Sequence, residues 1–240
     1  VLAHRGLALE APENTLLAFL AAVGLGIDHV ETDVHASKDG VAVISHDPDL
    51  RRVAGVDGRV GDLSLARLQK VDLGRDQTFC TLAEALDAFP DARFNIDIKS
   101  ADAVGPTVRA IRDLRAVDRV LVTSFSESRR RAAVRELPGV ATSASSSVFA
   151  AALVAGKLRA APLLRAALRG VDAVQIPESY RGVSIVTERM VELLHSAKVE
   201  VHVWTVNDAP AMHRLLDIGV DGIVTDRADI ALGVLTTRAR

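Results

Sequence analysis

Residues 92–99 read Ala-Arg-Phe-Asn-Ile-Asp-Ile-Lys. Side chains of a strand alternate faces with a period of two, so Phe94, Ile96 and Ile98 share one face and Asn95, Asp97 and Lys99 the other. Residues 30–34, Val-Glu-Thr-Asp-Val, repeat the arrangement with Glu31 and Asp33 on one face. A carboxylate on the inward face of a strand is costly unless it is paired or bound to a metal. Near the C-terminal end of a strand in an α/β barrel it most often belongs to an active site. Six further short, Val- and Ile-rich runs have the same strand-like form, at 1–4, 119–124, 139–143, 173–176, 199–206 and 222–225. Helical patterns fall between them, at about 14–23, 82–89, 103–114, 126–136, 148–168, 187–197, 209–218 and 228–234. The first of these sets Leu16, Phe19, Leu20 and Val23 at i, i+3, i+4 and i+7. Ser126 and Thr187 are expected to cap the helices they precede, and Gly219 stands where a C-terminal glycine belongs.

Eight strands alternating with eight helices predict a (β/α)8 TIM barrel rather than an open doubly wound sheet. The 240 residues fit one such domain spanning 1–240, since this fold typically needs about 250. Lys38-Asp39-Gly40 signals a tight turn before a further strand at 41–45. The following polar, glycine-bearing segment reads as a loop or small insertion after strand 2, at about 48–81.

Composition removes several classes of function. The net charge is −2, so no basic field invites nucleic acid, and aromatics at 3% supply few stacking platforms. One cysteine, Cys80, forbids a disulfide within the chain and is expected to be a buried thiol. The longest apolar stretch is nine residues, around 148–156, whereas a spanning helix needs about 20. A cytoplasmic protein is expected, although a chain opening on Val1 is compatible with a leader removed earlier. The sequence favours no particular oligomeric state. It contains neither G-x-G-x-x-G nor G-x-x-x-x-G-K-[ST], no G-x-S-x-G elbow and no H-x-H at a strand end.

What remains is concentrated at strand ends: His4-Arg5, Glu31 and Asp33, His46-Asp47, and Asn95, Asp97 and Lys99. Three carboxylates without a cysteine form an all-oxygen set suited to Mg²⁺, Ca²⁺ or Mn²⁺. The same carboxylates could instead be ion-pair partners of Arg5 and Lys99. Two imidazoles could exchange protons near neutral pH, or simply close their strands. Arg5 and Lys99 could grip phosphate oxygens or balance the carboxylates. Trp204 could wall a substrate's non-reacting part or fill core. His202, of the same parity as Trp204, is expected deeper in the barrel with a structural role. His29, His35, His195 and His213 carry no functional signal, and Arg129 to Arg131 read as a solvated helix face.

At these residues the chain resembles the glycerophosphodiester phosphodiesterase family. The matching pieces are Ala3-His-Arg-Gly6, Ala11-Pro-Glu-Asn-Thr15, Val30-Glu-Thr-Asp-Val-His35 with Lys38-Asp-Gly40, and Ser45-His-Asp47. Asn95-Ile-Asp-Ile-Lys99, Val203-Trp-Thr-Val-Asn207 and Gly222-Ile-Val-Thr-Asp226 continue the match in order along the whole chain. The resemblance implies a barrel with an insertion after strand 2 and hydrolysis of a small glycerophosphodiester to sn-glycerol 3-phosphate and an alcohol. It implies one divalent cation, Mg²⁺ or Ca²⁺, held at Glu31, Asp33 and Asp97, and acid–base catalysis by His4 and His46. It further implies phosphate contacts from Arg5 and Lys99, site-shaping by Glu13 and Asn14, and Trp204 beside the substrate. Two departures stand out. Asp97 occupies a position where the family usually has Glu, a loss of roughly 1.5 Å of reach. Thr81 precedes Leu82 where a Pro is frequent. Two alternatives stand beside this reading. A lysophospholipase D-like relative acting on lipid head groups would need an apolar groove, which the polar insertion does not suggest. A non-catalytic ligand-binding barrel would be expected to have lost a His or a carboxylate, and none is lost.

Overall fold

A computed structural model describes residues 1–180 and 182–238, so the last two residues of the expected 1–240 span lie outside the described residues. The strands are β1 Leu2–His4, β2 His29–Ala36, β3 Ala42–Ile44, β4 Arg93–Ile98, β5 Val120–Thr123, β6 Ala141–Thr142, β7 Ala173–Pro177, β8 Ser179–Tyr180, β9 Val183–Ser184, β10 Glu200–Trp204 and β11 Gly222–Thr225. The helices are α1 Leu16–Gly24, α2 Arg51–Ala54, α3 Leu65–Leu68, α4 Leu82–Ala88, α5 Val104–Asp113, α6 Glu127–Glu136, α7 Ser146–Lys157, α8 Ala161–Ala167, α9 Glu188–Ser196, α10 Ala209–Asp217 and α11 Ala228–Arg238.

Eight parallel strands run side by side in the order β6-β5-β4-β2-β1-β11-β10-β7. The two ends of this path meet at a bridge between Ser143 and Ala173, giving a nearly closed barrel. Registers place Glu31 beside Asn95 and Asp33 beside Asp97, and His4 beside Glu31. The expected parity therefore holds. Phe94, Ile96 and Ile98 are buried outward among the helices, where Phe94 meets Phe19 of α1 edge-on at 5.8 Å. Asn95, Asp97 and Lys99 line the interior of the barrel mouth. Deeper inside, the Asn95 amide donates to Gln175 Oε1 across the barrel at 3.3 Å, and His202 is buried between Gln175 and Glu200. His202 stacks so closely on Gly222 that a Cβ there would fall 2.6 Å from its ring, which explains the glycine opening β11.

Of the loop or small insertion expected at about 48–81, the structure has a small insertion: α2, a 3-10 turn at Val60–Asp62 and α3 enclose a small apolar core of Val43, Leu50, Val60, Leu68 and Phe79. These residues, dispersed among glycine turns, collapse onto β3. Three expectations are corrected. The single helix expected at 148–168 is two. Arg159 is left-handed (φ 57°), its N–H and that of Ala160 close on Gly156 and Ala155, and Pro162 then opens α8. Ser126 stands at the start of α6 but its side chain makes no cap bond; its hydroxyl meets Ser128 instead. Arg130 is buried rather than solvated, held by both Glu127 oxygens and Thr142, whereas Arg131 is exposed. Thr187 does cap α9. Thr81, one of the two departures, supplies a full capping box with Glu84 for α4. Cys80 is buried, and burial first, then Glu84, pushes its thiol up to about 12. No helix among the described residues is long and apolar enough to cross a membrane.

Candidate active site

The His4-Arg5-Gly6 turn leaves β1 with Arg5 and Gly6 both left-handed. A Cβ on Gly6 would lie 2.7 Å from the carbonyl carbon of Ala18, so only glycine lets the turn pack on α1. That contact holds His4 and Arg5 at the barrel mouth. His4 Nδ1 lies 2.6 Å from Asp226 Oδ1, and Asp226 is itself held by the Asn207 amide at 2.8 Å. The bond to His4 leads the influences that keep the Asp226 carboxyl below its ordinary range. Across the mouth, His46 Nδ1 lies 2.7 Å from Asp47 Oδ1. His35, buried and without a functional signal in the sequence, donates Nε2–H to the His46 carbonyl at 3.2 Å. An ionised carboxylate only accepts, so each imidazole donates from Nδ1 and keeps Nε2 for the cavity.

Glu13 ties the two sides together. It accepts from Arg5 Nη1 at 2.9 Å and from Arg52 at 2.7 and 3.0 Å, while Arg52 Nε reaches Asp47. A continuous line of charge-assisted bonds thus runs Arg5–Glu13–Arg52–Asp47–His46. Arg52 lies on α2, in the segment expected to be a loop or small insertion, and sequence reasoning missed it. Asn14 takes a left-handed conformation just before α1, donates to Asp33 Oδ2 at 3.0 Å and accepts from Thr32 at 2.8 Å. The helix consequently starts two residues later than expected, with Thr15 as its cap.

The three carboxylates are buried side by side. Lys99 Nζ bridges two of them, at 2.9 Å from Asp33 Oδ1 and 2.6 Å from Asp97 Oδ2. Arg5 Nε is 3.5 Å from Asp33 Oδ2, within ion-pair distance but outside hydrogen-bond geometry. Glu31 Oε2 accepts from the Arg5 backbone at 3.1 Å and stands 3.9 Å from His4 Nε2. Burial, then Asp33 and Asp97, push the Glu31 carboxyl well up. Burial also raises Asp97 despite Lys99. Burial opposes the charge on Asp33 too, but Lys99 outweighs it and holds Asp33 below its ordinary range. The pair of acids likewise overcomes burial at Lys99 and raises it.

These groups open into a cavity of about 640 Å³ at the barrel mouth. Trp204 lines its far wall, edge-on to Phe125 with ring centroids 6.1 Å apart. A second cavity of about 530 Å³, lined by His35, Arg59, Asp62 and Asp102, lies toward the insertion and shares His46 and Lys99 with the first. His4, Arg5, Glu31, Asp33, His46, Asn95, Asp97, Lys99 and Trp204 thus line one mouth, and Glu13, Asn14 and Asp47 bind Arg5, Asp33 and His46 behind it.

The sequence profile of the glycerophosphoryl diester phosphodiesterase family matches residues 4–230. The chain belongs to that family. A Mycobacterium tuberculosis protein named probable glycerophosphodiester phosphodiesterase 2 is 44% identical over 239 residues, covering 99% of this chain and 90% of its own. The glycerophosphodiester phosphodiesterase of Caldanaerobacter subterraneus subsp. tengcongensis is 31% identical over 98% of this chain and 97% of its own. The solved structure of an Oleispira antarctica phosphodiesterase in complex with the product sn-glycerol-3-phosphate superposes with a TM-score of 0.82 at 26% identity, covering 98% of this chain and 96% of that one. Phosphodiester hydrolysis is thus the chemistry against which the groups at this mouth are matched.

For a family associated with divalent cations, the donor chemistry fits. Asp97 Oδ1 and Asn95 Oδ1 are buried without a hydrogen-bond partner among the described residues. With Glu31 and Asp97 both pushed up, the cluster is short of positive charge. The carboxylates do not yet converge: among the described residues no three His, Cys, Asp or Glu side chains stand as a ready metal cage. Lys99 occupies the bridging role between Asp33 and Asp97.

Proposed function

We propose that the site hydrolyses a glycerophosphodiester to sn-glycerol 3-phosphate and an alcohol, with His4 and His46 moving the protons. The observation that supports this reading most is the pair of imidazoles, each locked through Nδ1 to a carboxylate, at 2.6 Å and 2.7 Å, with the cations and buried acids at the same mouth. One Nε2 takes the proton of the attacking oxygen, which is water or the substrate's own neighbouring hydroxyl. The other gives a proton to the departing alkoxide. Arg5 and Lys99 stabilise charge gathering on the phosphoryl oxygens. Glu13 and Arg52 fix Arg5 and Asp47, and Asn14 fixes Asp33. Trp204 bounds the substrate on the far wall.

Glu31, Asp33 and Asp97 are the residues that would hold one divalent cation, Mg²⁺ or Ca²⁺. When bound, it would supply Lewis-acid polarisation of a phosphoryl oxygen and neutralise the acids. The shorter Asp97 retains a buried, unpartnered oxygen for that purpose. The test is release of glycerol 3-phosphate from glycerophosphocholine with and without EDTA. Metal-dependent product is expected. Absence of product with several head groups, with added Mg²⁺ or Ca²⁺, would sink the reading in favour of a binding protein.

A further inference from the structure

The outer surface changes character along one stretch of the chain. From Leu137 to Val171 the only charged residues are Lys157, Arg159, Arg165 and Arg169, and no acid interrupts them, although the whole chain carries a net charge of −2. All four are exposed, and none has an ion-pair partner among the described residues. The apolar side chains of the same stretch are exposed too. Among the described residues, the most exposed large hydrophobic side chains are Leu158 at 71% and Leu163 at 62%, which flank the corner between α7 and α8. A surface helix ordinarily turns polar residues outward. Helix α7 instead has three faces without an acid. Ala152, Ala155 and Gly156 are buried, Phe149 and Leu153 line the mouth cavity, and Ala151, Val154 and Leu158, at i, i+3 and i+7, face solvent. Arg159, left-handed where a glycine would be less strained, turns the chain and sets a cation next to Leu158. The corner is therefore an apolar tip with Lys157 and Arg159 on one side in sequence and Arg165 and Arg169 on the other.

We propose that the corner between α7 and α8 is a docking surface for a bilayer that contains anionic lipid. Val154, Leu158 and Leu163 enter the interfacial layer, and Lys157, Arg159, Arg165 and Arg169 meet the headgroup phosphates. Charge selects the partner. A negative surface attracts a segment with four cations and no acid, whereas a second copy docking through the same patch would set cations against cations. A nucleic acid would engage the arginines but give the two leucines nothing to pack on. The segment also has a single aromatic residue, Phe149, and that ring is turned to the mouth cavity rather than offered to a base. A bilayer accommodates both the cations and the leucines. Helices α7 and α8 have 12 and 7 residues, well short of the roughly 20 needed to cross, so the contact is shallow and reversible. Because Phe149 and Leu153 of the same helix line the mouth, docking holds the mouth beside the lipid surface. The proposal is independent of the reaction assigned to that mouth.

The experiment is co-sedimentation of the full chain with vesicles, in EDTA so that no divalent ion bridges protein and lipid. One set of vesicles is phosphatidylcholine alone and the other is phosphatidylcholine with one-third phosphatidylglycerol. Each Lys or Arg close to such a surface is worth about fivefold in affinity. Binding to the mixed vesicles should be at least about tenfold tighter than to phosphatidylcholine, and should weaken at least about tenfold as salt rises from about 0.05 M to about 0.5 M. Lys157→Glu combined with Arg159→Glu should weaken it by about tenfold or more, and so should Leu158→Ser combined with Leu163→Ser. All four side chains are exposed, so both variants should melt as the wild type does and keep its turnover of glycerophosphocholine in free solution with added Mg²⁺. Leu158→Ser alone serves if the leucine pair melts lower. The leucine variant separates a bilayer from any other polyanion: if it binds the mixed vesicles as the wild type does, the patch reads charge alone and the lipid assignment falls. Equal binding to the two kinds of vesicle, binding to neither, or undiminished binding by the charge variant would also overturn the proposal. Vesicle binding is read without turnover, so a protein that docks as expected but hydrolyses no glycerophosphodiester would leave the docking surface standing and remove only the assigned reaction.

Discussion

The two halves of the barrel furnish the same mouth differently. From β1 to β4 the strand ends carry acids, cations and imidazoles, locked by short charge-assisted bonds such as Lys99 to Asp97 at 2.6 Å. From β5 to β10 the rim offers hydroxyls, aliphatic side chains and rings, with Phe125 meeting Trp204 edge to face. Asp226, at the end of β11, crosses the division to hold His4 on the neighbouring strand β1. One half is thus fixed by electrostatics in a buried setting, where each group's charge depends on its neighbours. The other is fixed by packing, where substitutions change shape and affinity by modest increments. A site built this way assigns the chemistry to one half and leaves the choice of substrate to the other.

The largest expected effects test the first part of that division. His46→Ala and His4→Ala should each lower kcat on glycerophosphocholine by about 10²–10⁴-fold, with far-UV circular dichroism unchanged. Both imidazoles are partly exposed, so their loss leaves no large cavity. Retention of near-full activity by either variant would remove that histidine from the mechanism and blur the contrast between the halves.

Asp226→Asn tests the one residue that crosses the division. It does not touch the reacting atoms but holds His4 by Nδ1, and such outer partners typically contribute about 10–100-fold. A drop of that size in kcat is expected, with partial recovery in Asp226→Glu, since a carboxylate again fixes the tautomer. An effect as large as that of His4→Ala would place Asp226 in the chemistry. No effect would mean that Asn207 and the Arg5–Gly6 turn suffice to aim the ring.

The charged half was legible in the sequence because its signals are local. Strand parity alone put Glu31 with Asp33 and Asn95 with Asp97, and the registers repeat that placement. Asp226 also stood at a strand end in the sequence, but its partner is 222 residues away, and nothing local to it names His4. Arg52 was hidden because four residues of helix within a glycine-rich stretch produce no readable period. The apolar wall of the cavity at the barrel mouth was illegible for a different reason. Its residues come from β5, α7, β7, β10 and the segment before α9, and an apolar run such as 148–156 looks the same whether it faces core or cavity. The break between α7 and α8 was readable in part. Pro162 inside a predicted helix should have ended it, whereas the left-handed Arg159 that completes the stop gives no such warning.

The smallest expected effect concerns stability, and it shows what the charged half costs. In the folded protein the Glu31 carboxyl titrates above its ordinary range, because burial and then Asp33 and Asp97 disfavour its charge. A raised folded value means that the native state holds this proton longer than the unfolded chain does. The stability contributed by protonated Glu31 is therefore complete below the ordinary carboxylate range and is lost as pH rises toward the folded value. At pH 8, without divalent cation, burial and the neighbouring acids make this carboxyl a standing cost that Glu31→Gln removes. The variant should melt higher by about 2–4 °C for each kcal/mol recovered, while losing glycerophosphodiesterase activity as a proposed metal ligand would. The gain should shrink toward pH 4, where the wild-type carboxyl is protonated as well. Millimolar Mg²⁺ or Ca²⁺ should raise the melting temperature of the wild type but not of the variant, because an ion that binds only the native state stabilises it by mass action. Scanning calorimetry of both proteins at two pH values, with and without the ion, separates the outcomes. A variant that melts at or below the wild type at pH 8 would mean that Glu31 is already compensated by the Arg5 backbone and by Lys99. The charged half would then be as settled energetically as the apolar one, and the contrast between them would be one of chemistry alone.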